Sequence, residues 1–332
     1  MKAVIFCEHG GADKLEYTDV PDPKPGKDEV LVRVRACALN HLDIWIREAA
    51  GFPIEMPHIL GNDIAGEVDG QRVIISPGVT DGVIDEYTSS GWDSMSPAFD
   101  IMGRKRQGGY AEFTKAHRTD VVPVSNKLSI EEWAAIPLAT LTAWHMLVTR
   151  AQLKAGETVL VHAAGSGIGC MAIQVAKLCG ASLVITTVGS DEKVPKAQAL
   201  GADAVINYRT HDFADEVNKL TGNRGVNVIF EHIGPETWPK NFQCLAKLGR
   251  MVTCGATSGP NASVDIRPFY ARQHTVLGSF MGGRVELLQV IRLVEAGKLR
   301  PVIDRVFPLK ETAAAHRHLE SRNCFGKIVL KV

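Results

Sequence analysis

From Thr158 to Gly234 the chain alternates short apolar runs with helix-like segments so regularly that few architectures remain open to it. "TVLVHAA" leads to "GIGCMAIQVAKLCG", then "SLVITTV" to "SDEKVPKAQALG", "AVINY" to "DFADEVNKLTG", and finally "VNVIFEHIG". The apolar runs are continuous, as strands are when helices cover both faces of a sheet. Gly180 and Gly201 stand where helices end in a left-handed residue, a conformation glycine adopts without steric cost. This pattern specifies a doubly wound parallel α/β sheet.

The first turn of that unit, "VLVHAAGSGIGCMA", places Ala164, Gly165, Ser166, Gly167, Ile168 and Gly169 between a buried strand and a helix. Glycines at 165, 167 and 169 let the backbone approach a diphosphate, whose charge then sits at the helix N-terminus. A glycine turn can also serve packing alone, but here strand, loop, helix and next strand are all in register, which favours a dinucleotide site. An NAD site usually carries an acid at the end of the second strand, about 20 residues after the loop, on the ribose 2′-hydroxyl. That strand ends here in Thr187, Val188 and Gly189, followed by Ser190, and no acid is among them. Asp191 and Glu192 come later and read as helix N-terminal charges. Lys193 is available for a 2′-phosphate, where each charge-assisted bond is worth roughly 1.5–3 kcal/mol.

Before this unit the chain reads as β structure. "KAVIFCE", "EVLVRVRACAL", "IAGEV" and "QRVIIS" are short Val/Ile-rich runs separated by turn residues, and Asp69-Gly70 suits a two-residue hairpin. Such strands without intervening helices suggest a small antiparallel, barrel-like domain. Ser129 and Glu132 form a capping-box pattern that opens a long helix through "LTAWHMLVTRA", bent at Pro137. After the alternating region, "HTVLGSFM" reads as a strand and "RVELLQVIRLVEAGKL" as an amphipathic helix. The closing "GKIVLKV" is a strand able to rejoin the first domain. A length of 332 residues fits two domains and needs no disulfide or metal to support folding.

Lys+Arg and Asp+Glu both number 37, so nothing in the charge balance advertises nucleic acid or an anionic membrane surface. No apolar run approaches the ~20 residues of a membrane span, and "MKAVIFCEHGG" is too soon charged for a signal peptide. The seven cysteines are scattered and never form a C-x-x-C pair, which points to reduced thiols and a cytoplasmic location.

"EVLVRVRACALNHLDIW", "HILGNDIAGEV", "GGYAEF", "LTAWHML", "VLVHAAGSGIG", "LGADAVINY", "GRMVTCGATSG" and "FGKIVL" together resemble the medium-chain dehydrogenase/reductase superfamily over nearly the whole chain. The match is nearest to its zinc-type alcohol dehydrogenases and zinc-free quinone oxidoreductases. The resemblance implies a GroES-like catalytic domain over residues 1–122, completed by 267–332, and a Rossmann domain over 123–266. It also implies a small-molecule substrate between them, and homodimers or dimers of dimers formed through the Rossmann edge strand "HTVLGSF".

In the zinc-dependent members two cysteines and a histidine hold the catalytic metal. Their positions fall here on Asn40, Asn62 and Leu138, with Asp63 at the neighbouring glutamate. The hydroxyl and histidine that relay the alcohol proton fall on Leu42 and Trp45. An amide oxygen is a poor zinc ligand beside thiolate or imidazole, and leucine is none, so the expectation is no metal. His41, Asp43 and Asp63 remain as a less favoured metal set, better read as a hydrogen-bonded polar cluster. The resemblance supports NADP(H): the 2′-phosphate ligands of the zinc-free relatives match Lys193, Tyr208 and Arg322. It also puts Gly255, Ala256, Thr257 and Phe280 around the nicotinamide and Thr142 under its ring. The alternative for the Thr142 hydroxyl is a bond to its own helix backbone.

Without a metal, the expected reaction is NADPH-dependent reduction of a quinone, enone or similar activated carbonyl, in which hydrogen bonds stabilise charge on oxygen. Asn40 is the expected donor, Asn62 assists, and Asp43 or His41 supplies or relays a proton unless solvent does so. A metal-free alcohol dehydrogenase or ketone reductase, and an NADP(H)-binding protein with little turnover, remain as alternatives. The long polar stretch Asp81 to Pro97 corresponds to the lobe that carries a structural zinc in zinc-bearing relatives. Its ligand spacing falls on Gly82, Asp85, Thr88 and Ser96, so it is expected to be pinned by packing of Trp92, Met95 and Phe99.

Overall fold

The computed structural model describes residues 1–48 and 54–332. The chain forms two compact units, Met1–Leu141 with Gly282–Val332 and Thr142–Met281.

The first unit is built on a seven-stranded sheet. Its path runs from Ile303–Pro308 through Lys327–Lys331, Glu29–Ala38, Asp63–Val68 and Gln71–Ile75 to Val121–Pro123, with Phe113–His117 paired to Glu29–Ala38. All pairings are antiparallel except that of Ile303–Pro308 with Lys327–Lys331. In Glu29–Ala38 the side chains of Val32, Val34 and Ala36 enter the core while Leu31 and Arg33 are exposed, the two-residue period of a strand. The hairpin forms at Asp69 (φ 50°) and Gly70 (φ 81°), between the paired residues Val68 and Gln71. Two positive φ angles in a two-residue loop match the right-handed twist of the flanking strands, and Asp-Gly tolerates both. Through Lys327–Lys331 the end of the chain rejoins the first domain, Leu330 facing Cys37.

The second unit is a six-stranded parallel sheet. In spatial order its strands are Ala204–Asn207, Leu183–Val188, Thr158–Val161, Val226–Glu231, Leu245–Thr253 and Thr275–Gly278. The chain direction of travel reverses between Thr158–Val161 and Val226–Glu231, the switch point at which open α/β sheets bind ligands. Gly180 (φ 81°) and Gly201 (φ 106°) follow the helices Gly167–Leu178 and Val194–Ala199 in the left-handed region.

The joints between the units fall at 141/142 and 281/282, beyond the 122/123 and 266/267 read from the sequence. Residues 123–141 belong with the antiparallel sheet because the helix Ile130–Ala134 packs against it and buries Trp133. The Trp133 indole donates to Ser125 O at 2.9 Å, and Arg72 donates to Leu128 O at 3.1 Å. At the other joint, Thr275–Gly278 is the sixth parallel strand. The capping box forms, with Ser129 Oγ accepting from Glu132 N and Ser129 N donating to Glu132 Oε2. The helix does not run on past it: it stops at Ala134, restarts as Pro137–Trp144 and continues as a π-helical turn, His145–Arg150. Proline disfavours helical backbone in the residue before it, so a break replaces the expected bend.

In the lobe Asp81 to Pro97, three of the four positions on the zinc-ligand spacing join one another. Asp85 accepts from Thr88 N (2.8 Å) and Ser96 Oγ (2.5 Å), and its own N–H donates to Thr88 Oγ1 (2.9 Å). Asp85 thereby caps the short helix Glu86–Ser90. Gly82 (φ 71°) lies under His117, whose ring would be 2.6 Å from any Cβ there. Apolar packing contributes less than expected, since Phe99 is buried but Met95 is 49% exposed. The Ser96 hydroxyl and the helix N–H groups hold the Asp85 carboxyl below its usual range. Its stabilising effect is therefore present above that range and is lost as pH falls through the depressed value. Hydrogen exchange should find the Tyr87 and Thr88 amides protected at neutral pH, less protected in strong acid, and fast at every pH in Asp85→Ala. Equal protection in both proteins at neutral pH would count against this tie.

Candidate functional site

The strand Thr158–Val161 feeds the glycine turn directly into the twelve-residue helix Gly167–Leu178. Ser166 caps that helix: its hydroxyl accepts from Gly169 N at 2.9 Å and donates to Ala163 O at 2.8 Å. A Cβ on Gly169 would lie 2.2 Å from Ala163 O, so only glycine allows so close an approach. The turn is tied to the neighbouring strand, Ala163 N donating to Thr187 Oγ1 and Ala164 N to Thr187 O, both at 2.9 Å. A rigid loop ending on a helix N-terminus suits a diphosphate.

Beneath the turn a buried polar network fixes the strand ends at the switch point. Glu231 accepts from Gly234 N (2.9 Å), Thr237 Oγ1 (2.8 Å) and Asn241 Nδ2 (2.5 Å), while His162 Nε2 donates to Asn241 Oδ1 at 2.7 Å. Burial opposes ionisation of Glu231, but the His162 charge and these donors outweigh it and hold the carboxyl below its usual range.

The residues expected at the ribose lie at the end of the second strand. Gly189 approaches Tyr208 so closely that a Cβ would meet the phenol oxygen at 2.7 Å. Ser190 precedes the short turn Asp191–Lys193, which Lys193 ends, and the Asp191 carboxylate accepts from Asn207 Nδ2 at 2.8 Å. Gly255, Ala256 and Thr257 follow the strand Leu245–Thr253, and Thr257 Oγ1 donates to His232 O at 2.9 Å. Phe280, two residues after the last strand, is 44% exposed. Arg322 belongs to the first unit, just past the helix Thr312–Glu320, with φ 58°. The Thr142 hydroxyl is buried without a hydrogen-bond partner, so the bond to its own helix backbone is not made.

In the first unit Asn40, Asn62 and Asp63 meet around Lys327, which the sequence reading did not single out. Lys327 Nζ is buried and donates to Leu39 O (2.7 Å), Asn40 Oδ1 (2.6 Å) and Asp63 Oδ2 (2.8 Å). Asn40 Nδ2 donates to Asn62 Oδ1 (2.6 Å) and Asp63 Oδ2 (2.8 Å), and Asp63 Oδ1 accepts from Leu138 N (2.6 Å). Both amide hydrogens of Asn40 are thus held inside the cluster, against its expected role as donor to a substrate. Asn62 is fully buried, and its Nδ2 has no partner. A lysine on an inward position of an apolar strand, "GKIVL", was the sequence signal for this centre, because a buried charge requires a buried partner.

Asp43 stands beside this cluster at the start of the helix His41–Arg47. Its oxygens accept from Asn40 N (2.7 Å) and Gly61 N (3.1 Å), while burial and then the Asp43 charge push the nearby Tyr110 hydroxyl up. Behind Tyr110, His316 Nδ1 accepts from Arg47 Nη1 at 3.0 Å, which leaves Nε2–H facing the Tyr110 oxygen at 3.3 Å. Burial raises the Asp43 carboxyl to about 6 against these donors, so it can hold a proton in weakly acidic solution. His41 lies 6.4 Å from Trp45, ring to ring, and no set of three or more His, Cys, Asp or Glu side chains is placed to hold a metal among the described residues.

Zinc does not fit the donor set at the three ligand positions. The oxygens of Asn40 and Asn62 already accept N–H bonds, Leu138 contributes only a backbone N–H, and an ammonium occupies the carboxylate that a metal would share.

Comparison with known proteins agrees with this architecture. The alcohol dehydrogenase GroES-like domain family matches residues 26–126 and the zinc-binding dehydrogenase family residues 167–296. A quinone oxidoreductase of Pseudomonas aeruginosa is 31% identical, with 99% of each chain covered. A 2-haloacrylate reductase of Burkholderia sp. is 30% identical, covering 99% of this chain and 98% of the other. A solved structure of an NAD-dependent alcohol dehydrogenase is 42% identical and superposes over 100% of both chains with a TM-score of 0.96. The chain belongs to the medium-chain dehydrogenase/reductase superfamily, in its quinone oxidoreductase- and alcohol dehydrogenase-like branch. It is an oxidoreductase with a GroES-like domain and a Rossmann-type sheet.

Replacing Lys327 by methionine leaves Asp63 buried without its counter-charge. The expected loss is about 3–5 kcal/mol of stability in urea unfolding, with a smaller loss for Lys327→Arg.

Proposed function

We propose that the protein is an NADPH-dependent, zinc-independent reductase of quinones, enones or similarly activated carbonyls. The observation that carries this reading is the centre itself: where zinc-dependent relatives place metal ligands, an ammonium, two amides and a carboxylate are hydrogen-bonded to one another. Such a centre supplies no Lewis acid, so the substrate must carry its own electron sink. A conjugated carbonyl does, because the charge that arrives with a hydride spreads onto oxygen, where a hydrogen bond stabilises it.

Held at Gly165 to Gly169, a reduced nicotinamide cofactor would supply a hydride, with two electrons, for the substrate carbon, and solvent would supply the balancing proton. The chain's part is to hold the diphosphate at Gly165 to Gly169, to orient the ring and to exclude water from the oxygen end. Lys193 and Tyr208 favour a 2′-phosphate, and the second-strand end carries no acid before Asp191. The relatives named as quinone oxidoreductase and 2-haloacrylate reductase favour activated acceptors.

A second reading is an NAD-dependent dehydrogenase of alcohols, favoured by the 42% identical structure of that name. In it Asp191, now held by Asn207, would serve the ribose hydroxyl. We also infer a homodimer joined through the edge strand Thr275–Gly278, whose outer side pairs with no strand among the described residues, and a reducing compartment that keeps the seven cysteines as thiols. No helix among the described residues is long and apolar enough to cross a membrane.

The deciding assay compares NADPH with NADH on 1,4-benzoquinone, 2-cyclohexenone and simple alcohols, before and after chelation, with metal analysis of the purified protein. The expected result is turnover of quinone or enone with NADPH, unchanged by chelator, and no bound zinc. Lys193→Ala should reduce the NADPH-over-NADH preference roughly tenfold or more. Chelator-sensitive alcohol oxidation with NAD would overturn the proposal, and tight NADPH binding without any turnover would favour a binding protein.

A further inference from the structure

Lys327 sets a direction for every hydrogen bond that follows from it. An ammonium has only hydrogens to offer, so the group it touches on Asn40, at 2.6 Å, must be the amide oxygen. Asn40 Nδ2 therefore points the other way and donates to Asp63 Oδ2 and to Asn62 Oδ1. That in turn commits the oxygen of Asn62 and leaves its Nδ2 at the far end of the chain of bonds. Reversing Asn40 would set NH₂ against the ammonium and its oxygen against the Asp63 carboxylate; reversing Asn62 would set NH₂ against NH₂. The network fixes both amides, and its output is a fully buried N–H donor with no acceptor in the structure. Buried polar groups are rarely left so, and one that is asks for a ligand.

We propose that Asn62 Nδ2 binds the acceptor oxygen of the substrate, and that Lys327, acting through Asn40, is the positioning residue that keeps Asn62 a donor. A trapped water is a weaker occupant, because it needs two to four polar partners of its own. A lone donor recognises a lone-pair oxygen, that of a ketone, enone or quinone. Closed off from solvent, the bond strengthens as negative charge grows on that oxygen. The inference rests on the reductase reading for its chemistry, but its test does not need turnover.

The full-length protein, labelled with ¹⁵N and saturated with oxidised nicotinamide, is titrated with cyclohexanone and, separately, with methylcyclohexane. The Asn62 side-chain signal is assigned by its loss in Asn62→Leu. The ketone is expected to shift that signal and the hydrocarbon to leave it. Lys327→Met should abolish the response, and Lys327→Arg, which preserves the donor, should restore it. Kinetics on 2-cyclohexenone should show Asn62→Leu lowering kcat roughly 100-fold with a smaller change in KM. A shift without turnover by the wild type would uphold the oxygen site and reject the reductase reading. No shift by the ketone, with or without turnover, overturns the proposal, as does an Asn62→Leu enzyme of undiminished kcat.

Discussion

The buried ion pair between Lys327 and Asp63 is the interaction on which the catalytic unit is organised. At 2.8 Å, with both side chains almost wholly buried, it joins residues 264 positions apart in the chain. Charges in such a place persist only when every proton and lone pair is matched. Here each hydrogen of the ammonium has an acceptor, and the carboxylate also receives Asn40 and the backbone of Leu138. The pair thus locks the returning strand Lys327–Lys331, the strand end at Asp63 and the start of helix Pro137–Trp144 into one arrangement. The first unit is in this sense closed by a charge as well as by its apolar core.

The two units carry different kinds of information in the sequence. The parallel sheet was legible almost in full, because buried strands, helical periods and glycine punctuation are local signals that repeat. The antiparallel unit was legible in its hairpin at Asp69-Gly70 and in its returning strand, but less so at its edges. Residues 123–141 read as the start of the next domain until Trp133 is seen packed against the antiparallel sheet. The candidate site divides in the same way. Gly165 to Gly169 announce themselves by spacing, whereas Lys327 looks like any charged residue until the topology carries it inward. Which amide of the pair Asn40 and Asn62 keeps an unused N–H depends on hydrogen-bond direction, and no one-dimensional pattern encodes that.

Both polar systems around the site follow one rule. A permanently cationic side chain, Lys327 in one and Arg47 in the other, fixes which atoms of its neighbours accept. Lys327 orders Asn40 and then Asn62; Arg47 fixes the His316 tautomer, which then faces Tyr110 and Asp43. Orientation is transmitted through neutral groups without moving charge to the site, which spares the cost of burying a second ion.

The lobe at Asp85, Thr88 and Ser96 has a consequence for the protein's dependence on its surroundings. A cysteine–zinc lobe answers to metal supply and to oxidants, since either losing the ion or oxidising a thiolate dismantles it. One built from a carboxylate and two hydroxyls is indifferent to both. What loosens this tie is protonation of Asp85, whose carboxyl is held below its usual range.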